Sequence, residues 1–394
     1  MRRGARILVV DDDPGMVRAV ERVLGEAHDV VGRQSSADAL ALAREFQPDL
    51  AILDVRMPEV DGFALMGRLK AELPHVDIIL MTGSLDDLDQ KLIRAIRGRA
   101  FYFIQKPFDR EVLQTLVDRC LELRWRREEN RRHVHRLETE LAEARAFQQG
   151  LLPVRDVVTD EVAISCRYVS CSELGGDLCD HVSVAPGRVA VLIADVMGHG
   201  VSAAMLTGVV KSAFRTAEAD GYEPSAVVRR LRGSMASFGP ERFVTLIAAI
   251  ISTEEQQVVY VNAGHPPGLL LNTEDGVQRL ESTGPLVSTA LPICAWEQRR
   301  LPMSTGDLLV LFTDGVSDTL ATEDDMGEEA ILAASRAHVG GGPPLLESIL
   351  ARVWERLGSR PQPDDLTLLS AKMLDRPRPG SSGRVLPTGD RTLI

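Results

Sequence analysis

No apolar run reaches the roughly 18 residues that a membrane-spanning helix needs. Nor does an apolar stretch of signal-peptide length precede Asp11. A basic surplus is missing too. The 394 residues hold 57 Asp and Glu against 45 Lys and Arg, a formal net charge of −12. Phosphate backbones select basic surfaces, so this balance argues against a nucleic-acid-binding body. Cysteine is scarce: Cys120, Cys166, Cys171, Cys179 and Cys294 form no Cys-x-x-Cys pair. Their irregular spacing reads as packed, reduced thiols of a cytoplasmic protein, not as a zinc site or a disulfide framework. Lysine is as rare, with 5 against 40 arginines, so each one attracts attention. No internal repeat is visible. What is present is ordinary for a globular protein: 44% hydrophobic and 26% charged residues exclude a disordered or fibrous chain.

At roughly 100–200 residues per domain, the length implies two or three domains. In residues 1–123, the short apolar runs Ile7–Val10, Leu50–Leu53, Ile78–Met81 and Ala100–Ile104 alternate with amphipathic stretches. The latter are Met16–Ala27, Ala37–Glu45, Gly62–Glu72, Leu88–Ile96 and Arg110–Leu123. Strands alternating with helices imply a doubly wound α/β domain around a parallel sheet. Residues 124–152 begin as a charged helix. Val134, Leu137, Leu141, Ala144, Gln148 and Leu151 then recur at heptad spacing, a seam fit for pairing two copies. Residues 153–375 show strand patterns at Val189–Ile193, Thr245–Ile251, Gln257–Val261 and Leu308–Phe312. Helical patterns lie at 203–217, 225–237, 328–337 and 345–357, which predicts an α+β domain with a sheet sandwich and helices outside. Residues 376–394, rich in Pro, Gly, Ser and Arg, read as a disordered tail.

Asp11, Asp12 and Asp13 follow the run Ile7–Val10, Asp54 follows Leu50–Leu53, Thr82 follows Ile78–Met81, and Lys106 lies just after Ala100–Ile104. In a doubly wound sheet these converge on one edge. Carboxylates gathered in one pocket repel each other and call for a hard cation such as Mg²⁺. That cation and Lys106 together would neutralise a phosphoryl group transferred to a carboxylate. Asp13, before Pro14, reads equally as a helix cap.

With Val9–Asp13, Leu53–Pro58, Asp61-Gly62, Met81–Gly83 and Lys106-Pro107-Phe108, the first 120 or so residues resemble response-regulator receiver domains. The resemblance implies a five-stranded parallel sheet, Asp54 as phosphoacceptor, and Mg²⁺ held by Asp11, Asp12, Asp54 and the Arg56 carbonyl. It makes Thr82, Lys106 and Phe103 the switch residues and a sensor histidine kinase the partner. Gly83, where Ala is common, is a departure that loosens the switch loop.

A second constellation is spread over Gly175–Asp180, Asp195–Gly200, Thr313–Val316 and Asp364–Thr367. Each string places an aspartate at a strand end beside a small residue. Carboxylates without His or Cys partners suit Mg²⁺ or Mn²⁺, and two such ions can activate a water against a phosphate ester. His199 and His265 read first as loop residues. These strings, with Gln148–Pro153, Phe243–Leu246, Asn262–Pro267 and Gly306-Asp307, resemble PPM-type metal-dependent protein serine/threonine phosphatases of the SpoIIE/RsbU branch. The resemblance implies a two-sheet β-sandwich flanked by helices. It assigns two Mn²⁺ or Mg²⁺ ions to Asp177, Asp195, the Val196 carbonyl, Asp314 and Asp364. Asp365 and His199 are placed behind those ligands. Leu178-Cys179, Asp318 and the Gly284–Val287 stretch depart from the family pattern, which touches substrate fit more than chemistry.

The combined expectation is a multidomain protein: receiver 1–123, helical linker 124–152, phosphatase 153–375 and tail. Phosphorylation of Asp54 would control dephosphorylation of a phosphoserine or phosphothreonine protein. The family points to a STAS-type anti-sigma-factor antagonist in a partner-switching pathway. The alternative is a receiver-controlled binding module that sequesters a partner without turnover. A DNA-binding output is disfavoured, because no helix-turn-helix pattern follows the receiver.

Overall fold

The computed structural model describes residues 4–58, 60–83, 102–273, 276–292, 295–322 and 326–375. The chain divides into two compact units, residues 1–137 and 138–394. The helix expected at Leu88–Ile96, Cys294 and the 376–394 tail lie outside the described residues.

The first unit holds a parallel sheet in the order β2-β1-β3-β4-β5. Its strands are β1 (Arg6–Val10), β2 (Asp29–Arg33), β3 (Leu50–Asp54), β4 (Asp77–Thr82) and β5 (Tyr102–Gln105). Side chains alternate between two cores. Ile7, Val9, Leu50, Ile52, Ile79 and Met81 fill one. Leu8, Val10, Ala51, Leu53, Ile78 and Leu80 fill the other. Burial on both faces explains why these strands read as unbroken apolar runs. The edge strand β2, Asp-Val-Val-Gly-Arg, is only half-buried and shows no such run. Helices α1 (Pro14–Leu24), α2 (Ser36–Phe46) and α3 (Gly62–Glu72) start on side-chain caps from Asp13, Ser35 and Asp61. The cap reading of Asp13 is therefore realised: its carboxylate accepts from the Gly15 N–H at 2.7 Å.

Helix α4 runs unbroken over Arg110–Leu151, so the helix expected at 110–123 and the linker at 124–152 are one element. In the first unit it buries Leu113, Val117, Cys120 and Leu121. Every residue from 131 to 140 is exposed.

The second unit stacks two antiparallel sheets. One has the order β15-β11-β10-β9-β8, with β14 beside β10; the other is β13-β12-β16-β17-β7-β6. The first sheet comprises β8 (Asp177–Ala185), β9 (Arg188–Val196), β10 (Phe243–Ser252), β11 (Gln257–Ala263), β14 (Val287–Ser288) and β15 (Arg299–Pro302). The second comprises β6 (Asp156–Val158), β7 (Val162–Val169), β12 (Gly268–Leu271), β13 (Val277–Leu280), β16 (Leu308–Phe312) and β17 (Leu366–Met373). Val189, Val191 and Ile193 of β9 meet Ile164, Leu309, Leu311 and Leu369 between the sheets. The alternate residues Ala190, Leu192 and Ala194 face α5 (Val201–Thr216) and α6 (Pro224–Met235). On the far side, β16 and β17 are covered by α7 (Asp314–Leu320), α8 (Glu328–Ala337) and α9 (Gly342–Leu357). The expected sandwich with helices outside is thus a four-layer stack.

A buried charge fastens α5 to β8. Asp180 accepts from Arg215 at 2.6 and 2.8 Å and from Lys211 at 3.1 Å. Removing both cations would leave this buried carboxylate unpaired, which is strongly destabilising.

The turn after β11 is held by His265 and Asn262. The His265 N–H donates to Asn262 Oδ1 at 2.8 Å, and Asn262 Nδ2 donates to the His265 carbonyl at 3.0 Å. The His265 ring nitrogen Nδ1 lies 2.8 Å from Thr245 Oγ1. Burial pushes this imidazole down to about 3, so it is neutral in the fold. The unfolded chain gains its proton near the ordinary histidine value of about 6.5. Folding stability is therefore full above that value and falls as pH drops toward 3, by roughly 1.4 kcal/mol per pH unit. Urea unfolding at about pH 4.5 should cost wild type roughly 3 kcal/mol through this residue, a loss that His265→Gln lacks.

Candidate functional sites at the strand ends

In the first unit the expected residues meet at the carboxyl edge of the sheet. Ligand oxygens of Asp11, Asp12 and Asp54 all lie within 4.8 Å of one another. Asp11 and Asp54 are buried while Asp12 is exposed. Lys106 Nζ bridges the two buried ones, 2.5 Å from Asp11 Oδ2 and 2.6 Å from Asp54 Oδ1. The Arg56 N–H donates to Asp54 Oδ2 at 2.9 Å, which turns the loop so that the following backbone passes the carboxylate. Gly62 lies so close that a Cβ there would stand 2.1 Å from the Asp54 carbonyl oxygen. Thr82 is fully buried at the end of β4, and Phe103 packs partly buried against the core containing Leu53. A cleft of about 530 Å³, lined by Asp12, Arg56, Met57 and Asp61 among others, opens beside the cluster.

Burial raises the proton affinity of Asp11, and Lys106 only partly offsets it. Burial disfavours the Lys106 charge in turn, but its bonds to Asp11 and Asp54 overcome this and leave its pKa raised. One lysine thus balances two carboxylates and leaves a net negative pocket. All-oxygen donors with unbalanced charge fit a hard divalent cation.

In the second unit four strand ends converge. Asp177 opens β8 and is the cross-strand partner of Asp195 in β9. Asp314 follows β16, and Asp364 and Asp365 precede β17, its antiparallel neighbour. Asp177 is buried and accepts from Thr313 Oγ1 at 2.8 Å and from Thr367 Oγ1 at 2.6 Å. Asp365 Oδ2 accepts from the Gly176 N–H at 2.6 Å, and Oδ1 accepts from the Cys171 N–H at 2.8 Å. A Cβ on Gly176 would lie 2.5 Å from the Val196 carbonyl oxygen and 2.8 Å from that of Gly198. Only glycine lets the turn sit against those carbonyls. Met197, Gly198 and His199 are exposed.

The electrostatics are those of crowded like charges. Burial and the Asp195 charge push Asp177 well up. Burial, then Asp314, Asp364 and Asp365, raise Asp195 to about 7. Burial and Asp364 raise Asp314. No ion pair to any of these aspartates occurs among the described residues. Carboxylates, backbone carbonyls and no compensating cation fit Mg²⁺ or Mn²⁺.

The tightest acidic group here is not the expected quartet. Ligand atoms of Cys171, Asp364 and Asp365 come within 4.8 Å of one another, and the charges of Asp364 and Asp365 act on Asp195. Burial and Asp365 push the Cys171 thiol up to about 11, so it stays protonated at neutral pH. Sequence reasoning also passed over Thr313 and Thr367, although both stand in the quoted strings. A hydroxyl beside an aspartate at a strand end was the available signal.

Gln148 is the other residue whose role changes. Its amide is buried, with Nε2 donating to the Gly175 carbonyl at 2.7 Å and Oε1 accepting from the Gly175 N–H at 3.3 Å. Leu151 lies 3.8 Å from where a Gly208 Cβ would stand on α5. The last two positions of the heptad seam are therefore engaged within this unit, while Val134 and Leu137 remain exposed.

Residues 7–118 match the family described as Response regulator receiver domain, and residues 185–374 match the family Stage II sporulation protein E (SpoIIE). The chain therefore carries a receiver domain followed by a SpoIIE-type domain. Phosphoserine phosphatase RsbP of Bacillus subtilis is 31% identical over 188 residues, 46% of each chain. Transcriptional regulatory protein GlrR of Escherichia coli is 34% identical over 121 residues, 30% of this chain and 26% of its own. The chain thus spans less than half the length of these two relatives. The SiaA-PP2C domain of Pseudomonas aeruginosa superposes with a TM-score of 0.53 at 21% identity. That match covers 61% of this chain and 97% of that domain, and it shows the fold.

Thr367→Val removes one donor from Asp177 without changing side-chain volume much. Mn²⁺ affinity measured by calorimetry should fall about 10–100-fold, as expected when a ligand loses its support. Because Asp195 holds its proton up to about pH 7, wild-type affinity should also rise as pH increases through that value.

Proposed function

We propose that the chain is a metal-dependent protein serine/threonine phosphatase whose activity is set by phosphorylation of Asp54. The observation that carries this reading is the group of one buried and two half-buried aspartates, Asp177, Asp195 and Asp314, with raised proton affinity and no cationic partner among the described residues. Asp177, Asp195, the Val196 carbonyl, Asp314 and Asp364 would hold two Mn²⁺ or Mg²⁺ ions. Bound divalent ions polarise a phosphate ester and lower the pKa of water. Thr313 and Thr367 fix the Asp177 carboxylate, and Asp365 fixes the Gly176 turn beneath it. His199, exposed in the loop before α5, stands behind the ligands. The similarity to RsbP, a phosphoserine phosphatase, agrees with this chemistry.

In the receiver, Asp11, Asp12, Asp54 and the Arg56 carbonyl would hold Mg²⁺, and a sensor histidine kinase would supply the phosphoryl group. Lys106 must then exchange a carboxylate for a phosphoryl oxygen, with Thr82 and Phe103 following. Helix α4 is the route outward: Leu113 and Val117 lie in the receiver core, and Gln148 clamps the Gly175 peptide two residues before Asp177. Domain limits of 1–123, 124–152 and 153–375 describe the division of labour, with 124–152 as the coupling segment. A fully exposed helical stretch is marginal alone. Pairing of Val134 and Leu137 with a second copy would support it, so we take the working form as a homodimer. The substrate we assign is a phosphorylated STAS-domain anti-sigma-factor antagonist in the cytoplasm.

The test is Mn²⁺-dependent release of phosphate from a phosphorylated STAS protein, with and without beryllofluoride. Asp195→Asn should lower turnover by about 10³-fold or more, the order lost when a group central to transition-state stabilisation is removed. Beryllofluoride should change the rate of wild type and not of Asp54→Asn. Retention of the phosphoprotein without hydrolysis by wild type would replace this reading with the binding-module alternative. Gln148→Ala should lower activity about tenfold, with an unchanged unfolding midpoint for the first unit.

A further inference from the structure

The first unit has a second cavity, about 700 Å³, at the opposite edge of the sheet from Asp54. Its walls are the start of β3 and β4, the loop at Pro74 and His75, Lys70 of α3, and the outer face of α4 from Arg124 to Arg132. Its lining holds five basic side chains, Lys70, Arg124, Arg127, Arg131 and Arg132, and three acidic ones, Asp49, Asp77 and Glu128. In a chain with a net charge of −12, this is a local excess of positive charge.

Part of that charge is structural. Arg124 donates to the His75 carbonyl and pairs with Asp49 at 3.3 Å and with Asp77 at 3.7 Å, fastening α4 to the sheet. Lys70 donates to the Val76 carbonyl. The other basic side chains share carboxylates. Asp77, already shared with Arg124, is 3.6 Å from Arg127. The single carboxylate of Glu128 serves Arg131 at 2.5 Å and Arg132 at 3.2 Å. Burial holds the Lys70 ammonium below its ordinary value, Asp77 offsets part of this, and Arg124 and Arg127 add to the lowering. Trp125 lines the same cavity.

Guanidinium groups bind phosphate oxygens in bidentate fashion, and an indole offers a stacking face. We propose that this cavity binds a nucleoside polyphosphate, with its phosphates on Arg127, Arg131 and Arg132 and its base against Trp125. The volume accommodates such a ligand, since small-molecule sites run from about 300 to 1,000 Å³. An occupant would tie the Pro74–His75 loop to the segment of α4 just beyond the receiver core.

The experiment is titration of the full chain with ATP, adenosine and pyrophosphate, each in EDTA to exclude metal-mediated binding. Tryptophan fluorescence and calorimetry are the readouts. ATP should bind more tightly than either fragment, and quenching should vanish in Trp125→Phe. The double variant Arg131→Gln, Arg132→Gln should weaken ATP about tenfold or more, which corresponds to about 1.4 kcal/mol. Both side chains are exposed, so the variant folds. Absence of ATP binding up to about 1 mM overturns the proposal. Unchanged affinity in the double variant, or pyrophosphate binding as tightly as ATP, also overturns it.

Discussion

Buried carboxylates of like sign repel one another, and both sites of this chain are arrangements for tolerating that repulsion. The receiver cluster uses a lysine: Lys106 lies within 2.6 Å of both Asp11 and Asp54. The larger cluster of the second unit has no cationic side chain paired to it among the described residues. It relies on hydroxyl and backbone donors, Thr313 and Thr367 on Asp177 and the Gly176 and Cys171 amides on Asp365. Neutral donors compensate a charge less than a cation does, so these aspartates keep a strong appetite for protons or divalent ions. A site with its own lysine can release and re-form its contacts within the protein. A site without one is completed from outside.

The backbone makes these concentrations of charge possible. Strands buried on both faces carry little polarity along their length, so polar residues collect where the strands end. In the receiver, parallel pairing brings Asp11, Asp54, Thr82 and Lys106 to one edge. In the sandwich, the antiparallel pairing of β8 with β9 sets Asp177 beside Asp195, and that of β16 with β17 sets Asp314 beside Asp364. Stacking the two sheets then unites the pairs. The glycines are part of this geometry: Gly176 and Gly315 occupy places where a Cβ would strike a carbonyl oxygen at 2.5 and 2.0 Å.

Much of this was legible in the sequence, because doubly buried strands read as apolar runs and each run ended in a chemically distinctive string. The receiver fold, the sandwich and the positions of the acidic residues followed from those two features. What escaped notice lacked one of them. The edge strand Asp29–Arg33 is half-buried and has no apolar run. Thr313 and Thr367 are uncharged, and their value lies in a third residue 136 and 190 positions away in the chain. Gln148 fitted a heptad position, and spacing alone does not say which surface covers a seam. Its buried amide has both donor and acceptor sites to satisfy, and the Gly175 peptide supplies a matching acceptor and donor.

Helix α4 shows the same logic at larger scale. At about 1.5 Å per residue, its 42 residues extend for about 60 Å. The ends are anchored by apolar burial at Leu113–Leu121 and by the Gln148 amide, while the stretch from 131 to 140 is exposed and carries local pairs such as Glu128 with Arg132. Exposed pairs of that kind contribute about 0.3–0.5 kcal/mol each. The weakest part of the helix therefore lies between two well-fixed ends, next to the exposed Val134 and Leu137 and the arginine-rich face of residues 124–132. A small gain or loss of free energy there, from a second helix or from an anion on the arginines, is comparable to what the segment itself contributes. The middle of α4 is thus open to outside influence, while each acidic centre stays fixed by its own strands.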